Sequence, residues 1–459
     1  MIENIVRYKK KYLECITTLG MAIFIGTFLF KFPVSYALTF IFAIVAFFMV
    51  LIDIKYGIAC FIVVSVFPNV QSREMFGIIG LNAQNIIFIV VVVSYFLPRM
   101  LKKVKYEECG LPILKWIILL FILQFISALR MINEKGYLYE YYFLNNMNTF
   151  NMMVLKPLEY YFVLYILYKS IKKEKDIKFF FYIFYFGVFI GLFFLFWQYV
   201  ILGYDPYSQQ MWDNPFAGHK NSFAVTMAIL CLLSISFFLN IKDRGIKFFS
   251  LAGAIFSFIV LAYSLSRNAW AGFLIGLFYI AYKMRVKKVF VPVFLLLIII
   301  LFTPLSNIVT KRATKNIETG NVDLIISGRI ESRWEPQIEA IKRNPIIGGG
   351  VVGLLGHNGY LSVWNKTGIF GLIITIIIFY KMFKMFLVAY KCSSSQGFER
   401  AFSLAGLSCV FMVPFINIVG SLQLIRLLDL SSITLIIFIY LSSYKLLNWK
   451  IRNMKEFKI

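Results

Sequence analysis

Apolar runs of about 17 to 24 residues recur along the whole chain, and each is about the length that crosses a ~30 Å hydrocarbon core as a helix. No soluble fold buries so many such runs. In lipid every backbone polar group must be satisfied internally, so the runs are expected to be helices. The reading is an all-α polytopic membrane protein. Spans are expected at 13–30, 34–52, 56–69, 83–98, 112–130, 152–169, 179–202, 219–240, 246–264, 267–283, 288–303, 359–380, 399–417 and 430–447. That makes about fourteen, or twelve if the short third and fourth form a re-entrant pair. With no internal repeat and no low-complexity linker, residues 1–459 read as a single transmembrane domain.

The chain has 47 basic and 22 acidic residues, a formal charge of +25. In a soluble protein that excess would point to nucleic acid. Here it reads as topology and no nucleic-acid partner is expected, because the basic clusters, such as "RYKKK" (7–11), "RMLKKVK" (99–105), "KSIKKEKDIK" (169–178) and "KMRVKK" (283–288), fall on every second loop. Alternate assignment puts about 30 Lys/Arg inside and about 16 outside. Both termini are therefore expected to be cytoplasmic, and the first apolar run is expected to be a retained helix, since no small-residue cleavage site follows it. No two of the six cysteines can meet on the oxidising face, so no structural disulfide is expected.

Residues 304–358 break the pattern with one long outer loop, and long loops are commonly functional. Within it, "SGRIESRWEPQIEAIKRNPIIGGG" (327–350) starts at the cap-capable Ser327 and sets Trp334, Ile338 and Ile341 on one helical face. An amphipathic helix on the outer membrane surface is expected, its aromatic side toward lipid and its arginines toward a cavity, split or kinked at Pro336 and ended by "NP" and the glycines.

Several polar residues lie at the outer ends of spans. Arg267, in "YSLSRNAW" (263–270), must face protein, water or headgroups, either as a headgroup anchor or as an anion ligand helped by Ser264, Ser266 and Asn268. Arg329 and Arg333 are four apart, so they share a helical face. They suit phosphate, whose oxygens match the guanidinium fork, or else form a solvated face with Glu331 and Glu335. The glycines 348–350 offer backbone N–H groups for an anion nest. His357, with an ordinary pKa of about 6.5, is either a helix-end polar residue or a general base. His219, Lys220 and Asn221, in "NPFAGHKNSFA" (214–224), line the same cavity or cap a helix. Lys156 and Glu159 are one turn apart inside an apolar span, where charges are functional candidates. Asn358 and Tyr360 complete the candidate lining, and Gln423, Arg426 and Asp429 form a further outer polar group. No D-x-D pair, no phosphate-binding loop of the G-x-x-x-x-G-K-[ST] type and no His/Cys cluster occurs, so neither a metal nor a cofactor is expected.

The order "SLSR", then "SGRIESRW", then "NPIIGGG" and "GHNGYLSVWNKTGIFG" resembles the O-antigen ligase and polymerase superfamily of bacterial integral-membrane proteins. The resemblance covers about residues 214–371, the family-like catalytic region; "GHKN" is similar to a further family stretch, with Lys220 where proline is usual. It implies a C-type membrane glycosyltransferase in the bacterial cytoplasmic (inner) membrane, working on the outer face in cell-surface polysaccharide assembly. Its donor would be an undecaprenyl-diphosphate-linked oligosaccharide, and transfer would be inverting and metal-independent. Arg267 and Arg329 would bind the donor diphosphate, with Arg333 added from its spacing, and His357 would activate the acceptor hydroxyl. Besides membrane lipids, a chain-length regulator or a flippase is a candidate partner. The expected role is repeat-unit polymerase, with a ligase or, further off, a polysaccharide transporter as alternatives.

Overall fold

The structure, a computed structural model, describes residues 44–65, 83–101, 110–133, 156–196, 220–264, 266–284, 334–350, 358–394, 396–419 and 430–456. The expected spans 13–30 and 288–303, together with Arg329, Arg333, His357, His219, Gln423, Arg426 and Asp429, lie outside the described residues. Among the described residues there is helix and no strand.

The chain divides into two compact units, residues 1–64 with 70–104, and residues 65–69 with 105–459. In the first, a helical stretch at 44–52 precedes α1 (Ile54–Ser65) and α2 (Ala83–Leu101). Asp53 starts α1 by accepting the Lys55 N–H at 3.0 Å. Gly57 is where the three meet, since a Cβ there would run into Val50 and Val91. At 12 residues α1 spans about 18 Å, well short of a bilayer core.

The second unit holds α3 (Leu114–Asn133), α4 (Lys156–Ser170), α5 (Glu174–Phe196), α6 (Lys220–Asn240), α7 (Arg244–Tyr263), α8 (Arg267–Met284), α9 (Glu335–Arg343), α10 (Gly359–Cys392), α11 (Phe398–Val419) and α12 (Leu430–Glu456). Helix α6 is the centre. Every residue from Phe223 to Phe237 is buried, with α7, α8, α11 and α12 packed around it. A helix hydrophobic all round belongs inside a bundle. Close approach rests on small residues: a Cβ on Gly276 would meet Leu232 of α6 at 2.5 Å, and one on Gly272 would meet Ile416 of α11 at 2.5 Å. Phe181, Phe237, Phe402 and Phe438 then lock α5, α6, α11 and α12 together, with ring centroids 4.4 Å apart for the first two and 5.5 Å for the last two.

Among the described residues, four segments are long and apolar enough to cross a membrane: Phe223–Asn240, Arg244–Tyr263, Gly359–Cys392 and Phe398–Ile418. The outward side of the unit is apolar to match, with Phe278 and Tyr282 of α8 and Ile376 of α10 exposed. Helix α10 exceeds its expected span of 359–380 by running to Cys392. Its 34 residues measure about 50 Å, more than a bilayer core needs, and it is broken inside at Gly368. Helix α12 likewise passes residue 447 to reach Glu456.

One consequence of this topology bears on function. The turns 241–243 and 393–397 meet, since the Gly397 N–H donates to the Asn240 carbonyl at 2.8 Å, and Lys450 of α12 reaches the Cys392 carbonyl at 2.6 Å. Acids at this end serve the backbone or pair locally: Asp176 accepts from the N–H groups of Lys172 and Lys173, Asp243 caps α7, and Glu399 pairs with Lys450 at 3.4 Å. The starts of α6, α8 and α10 therefore all lie at the opposite end.

Gly406 of α11 tests this packing, because a Cβ there would sit 2.2 Å from the Phe386 ring of α10. Gly406→Leu should lower stability by about 1–3 kcal/mol. The check is the thermal unfolding midpoint of the purified protein in detergent; an unchanged midpoint would contradict the α10–α11 contact.

Candidate functional site

The end of the second unit that carries the starts of α6, α8 and α10 also carries most of the described candidates. Helices α7 and α8 join through residues 264–266 alone. Ser264 Oγ donates to the Leu261 carbonyl at 2.6 Å and accepts the Ser266 N–H at 3.4 Å, and Trp270 Nε1 donates to the same Leu261 carbonyl at 2.8 Å. Ser264 and Ser266 are buried, and the Ser264 hydroxyl holds the corner. Arg267 follows as the first residue of α8, partly exposed.

Lys156 opens α4, and Glu159, in its first turn, is 4% exposed. Lys220 and Asn221 open α6. Asn358 is the N-cap of α10, its Oδ1 accepting the N–H groups of Tyr360 and Leu361 at 3.0 Å each. Its side chain is thus spent on starting the helix. Tyr360 donates its hydroxyl to the Pro414 carbonyl of α11 at 3.2 Å.

In α9 as described from Glu335, Pro336 stands in the first turn, where a missing N–H costs nothing; residues 327–333, on which the expected split or kink also depends, lie outside the described residues. The face turned inward is Gln337, Ala340 and Ile341, packed on α10, while Ile338 is 41% exposed. Gln337, fully buried, donates Nε2 to Ser362 Oγ of α10 at 3.2 Å. Of the apolar face expected to lie toward lipid, Ile338 is exposed and Ile341 is buried against α10, and the buried glutamine with a partner on the next helix is a pairing that apolar periodicity does not show.

Beyond α9, residues 344–350 dock into the break of α10. In an unbroken helix the Ile369 N–H would bond the Asn365 carbonyl. Here the Ile369 N–H donates to the Pro345 carbonyl at 2.9 Å, and the Asn365 carbonyl accepts the Gly349 N–H at 2.7 Å. One helical rung is opened and both halves are taken by the loop. Trp364 Nε1 adds a bond to the Pro345 carbonyl at 2.9 Å, and the Gly348 N–H closes the turn on the Asn344 carbonyl at 3.1 Å. The N–H groups of Gly348 and Gly349 are therefore committed, and the anion nest expected of this glycine run is not built from them.

Two glycines permit the joint. Gly368 has φ 68° and ψ −174°, a region essentially closed to other residues, and a Cβ on it would lie 1.9 Å from the Ile346 carbonyl oxygen. Gly348, at φ 83°, would press a Cβ against the Gly368 nitrogen at 2.5 Å.

Helix α3 supports the joint from behind. Arg130 Nη2 donates to Asn344 Oδ1 at 2.6 Å, and the Ser127 hydroxyl donates to the Lys366 carbonyl. Sequence reasoning passed over these residues. The signal was a polar stripe, Gln124 and Ser127 at i, i+3 in an otherwise apolar helix, both buried.

Gly368→Ala should cost about 1–3 kcal/mol and expose residues 344–349 to limited proteolysis. Gly110→Ala, with no atom within 4 Å of the added methyl, should do neither. Equal proteolysis of the two variants would contradict the docked loop.

The segment that holds both halves of this joint, together with the α7–α8 corner and Arg267, has known counterparts. No curated protein matches the chain. Residues 251–376 match the family described as O-antigen ligase. Residues 251–376 are thus similar to the O-antigen ligase family, in a chain whose described residues are helical and include segments apolar enough to cross a membrane.

Proposed function

We propose that the protein transfers glycan from an undecaprenyl-diphosphate-linked donor at the outer face of the bacterial cytoplasmic membrane, as a repeat-unit polymerase in cell-surface polysaccharide assembly. The observation that carries the reading is the O-antigen ligase family match over residues 251–376. The fold supports it by placing Arg267, Lys156, Lys220, Asn221, Asn358 and Tyr360 at one end of the bundle, away from the lysine-rich turns. By the charge rule those turns are cytoplasmic, with both termini inside and about 12–14 spans.

In this reading the acceptor hydroxyl attacks the anomeric carbon, the bond from that carbon to the diphosphate oxygen breaks, and the diphosphate leaves with the electron pair. His357 takes the hydroxyl proton. Arg329, Arg333 and Arg267 hold the leaving diphosphate, so the charge that develops is met by fixed guanidinium groups and no metal is required. Arg267 adds its charge to the positive end of the α8 dipole, a setting that favours an anion. The Asn365 side-chain amide and Asn417 Oδ1 are buried without a hydrogen bond among the described residues, a donor and acceptor set of the kind sugar hydroxyls satisfy. Direct displacement inverts the anomeric configuration.

The family's description as O-antigen ligase favours a second reading, a ligase that moves finished glycan to a lipid core or a protein. The test uses the protein in lipid nanodiscs with one lipid-linked repeat unit from its own host. A polymerase builds a ladder of longer lipid-linked chains. His357→Ala should slow that ladder by about 10²–10⁴-fold, and Arg329→Ala should abolish it. Transfer only after a lipid-core or protein acceptor is added would mean a ligase. Donor flipping without transfer would mean a transporter and would overturn both.

A further inference from the structure

Residues 344–349 lie between the two parts of the proposed site. Arg329 and Arg333 precede α9, and His357 follows the loop by eight residues. The joint thus lies, along the chain, between α9, whose cap Trp334 follows Arg333 directly, and α10, whose cap Asn358 follows His357 directly. Within the family segment it is held by the opened rung at Asn365 and Ile369 and by Trp364 and Gln337. The remaining support comes from α3, outside residues 251–376: the Arg130 guanidinium on Asn344 at 2.6 Å and the Ser127 hydroxyl on the Lys366 carbonyl. Asn344 is the pivot of the joint. It ends α9 by donating its N–H to the Ile341 carbonyl, and its own carbonyl receives the Gly348 N–H. An arginine bond to its side chain therefore acts on helix end and loop together.

We infer that Arg130 is a positioning residue of the transfer reaction: through Asn344 it clamps the joint between α9 and the break in α10, the two elements whose starts adjoin Arg333 and His357 in the sequence. The inference rests on the function proposed above. Its physical scale follows from geometry, since a misplacement of about 1 Å far from the chemistry can cost about 100-fold in rate.

The experiment measures initial transfer rates of the full chain in nanodiscs, with the lipid-linked repeat unit as the varied substrate and rates normalised to folded, monodisperse protein. Arg130→Ala, and Arg130→Gln as the milder variant, should lower kcat by about 10- to 100-fold while KM for the lipid-linked substrate stays within about twofold. Arg130→Lys combined with Asn344→Asp rebuilds the clamp as an ion pair and should recover most of the lost rate, a recovery that a lost packing contact would not give. An unchanged kcat in both single variants overturns the inference, and so does a rise in KM at constant kcat, which would put Arg130 on the substrate instead of the loop.

Failure of the functional reading is told apart by the wild type. If wild-type protein transfers nothing to any acceptor, the reading falls, and the clamp is judged by amide exchange alone. The Gly349 and Ile369 amides should exchange at least about tenfold faster in Arg130→Ala, and equal exchange overturns the clamp.

Discussion

The site depends on one opened rung of a helix. A backbone N–H or carbonyl left unpaired away from water costs as much as a lost hydrogen bond, and in a membrane protein few partners are at hand. The break at Gly368 creates such a pair, the Asn365 carbonyl and the Ile369 N–H, and the loop after α9 supplies both partners from Gly349 and Pro345. Helix and loop are therefore each incomplete alone. That mutual dependence holds residues 344–349 against α10 and offsets the entropy that ordering them would cost.

Packing below the joint serves the same end. The central α6 is buried at every position from Phe223 to Phe237, and glycines on α8 and α11 bring neighbouring helices close around it. Lipid gives helices no hydrophobic reason to associate, so small residues and close van der Waals contact do that work. The Phe181, Phe237, Phe402 and Phe438 cluster pins the lysine-rich end, and the opposite end is left to carry polar groups. Serines at the α7–α8 corner follow the same economy: they close the turn and leave Arg267 at the head of a helix.

Much was legible in advance, for definite reasons. Apolar runs of bilayer length identify helices because no other element satisfies its backbone in lipid, and α3, α6, α7, α8 and α11 begin and end within a few residues of the expected spans. The ordered motifs around Arg267, "NPIIGGG" and "GHNGYL" pointed to the O-antigen ligase family, which matches there. The face of α9 that packs on α10 was not legible, because periodicity counts apolar residues, whereas Gln337 is drawn inward by Ser362. The glycine run was read as a nest because a sequence does not say which carbonyls its N–H groups will meet.

By itself, then, the sequence determined which of the described segments are helical and apolar enough for lipid, and that the stretch matched at 251–376 resembles the O-antigen ligase family. Those properties are local: hydropathy, length and residue order are set within a few turns of chain. Only the tertiary structure decided that Gly348 and Gly368 interlock, that Asn365 and Ile369 give up their rung to the loop, and that Arg130 reaches Asn344 across 214 residues of sequence. Each of these is a pairing of backbone or side-chain groups far apart in the chain, and which groups pair is settled by how the helices pack against one another.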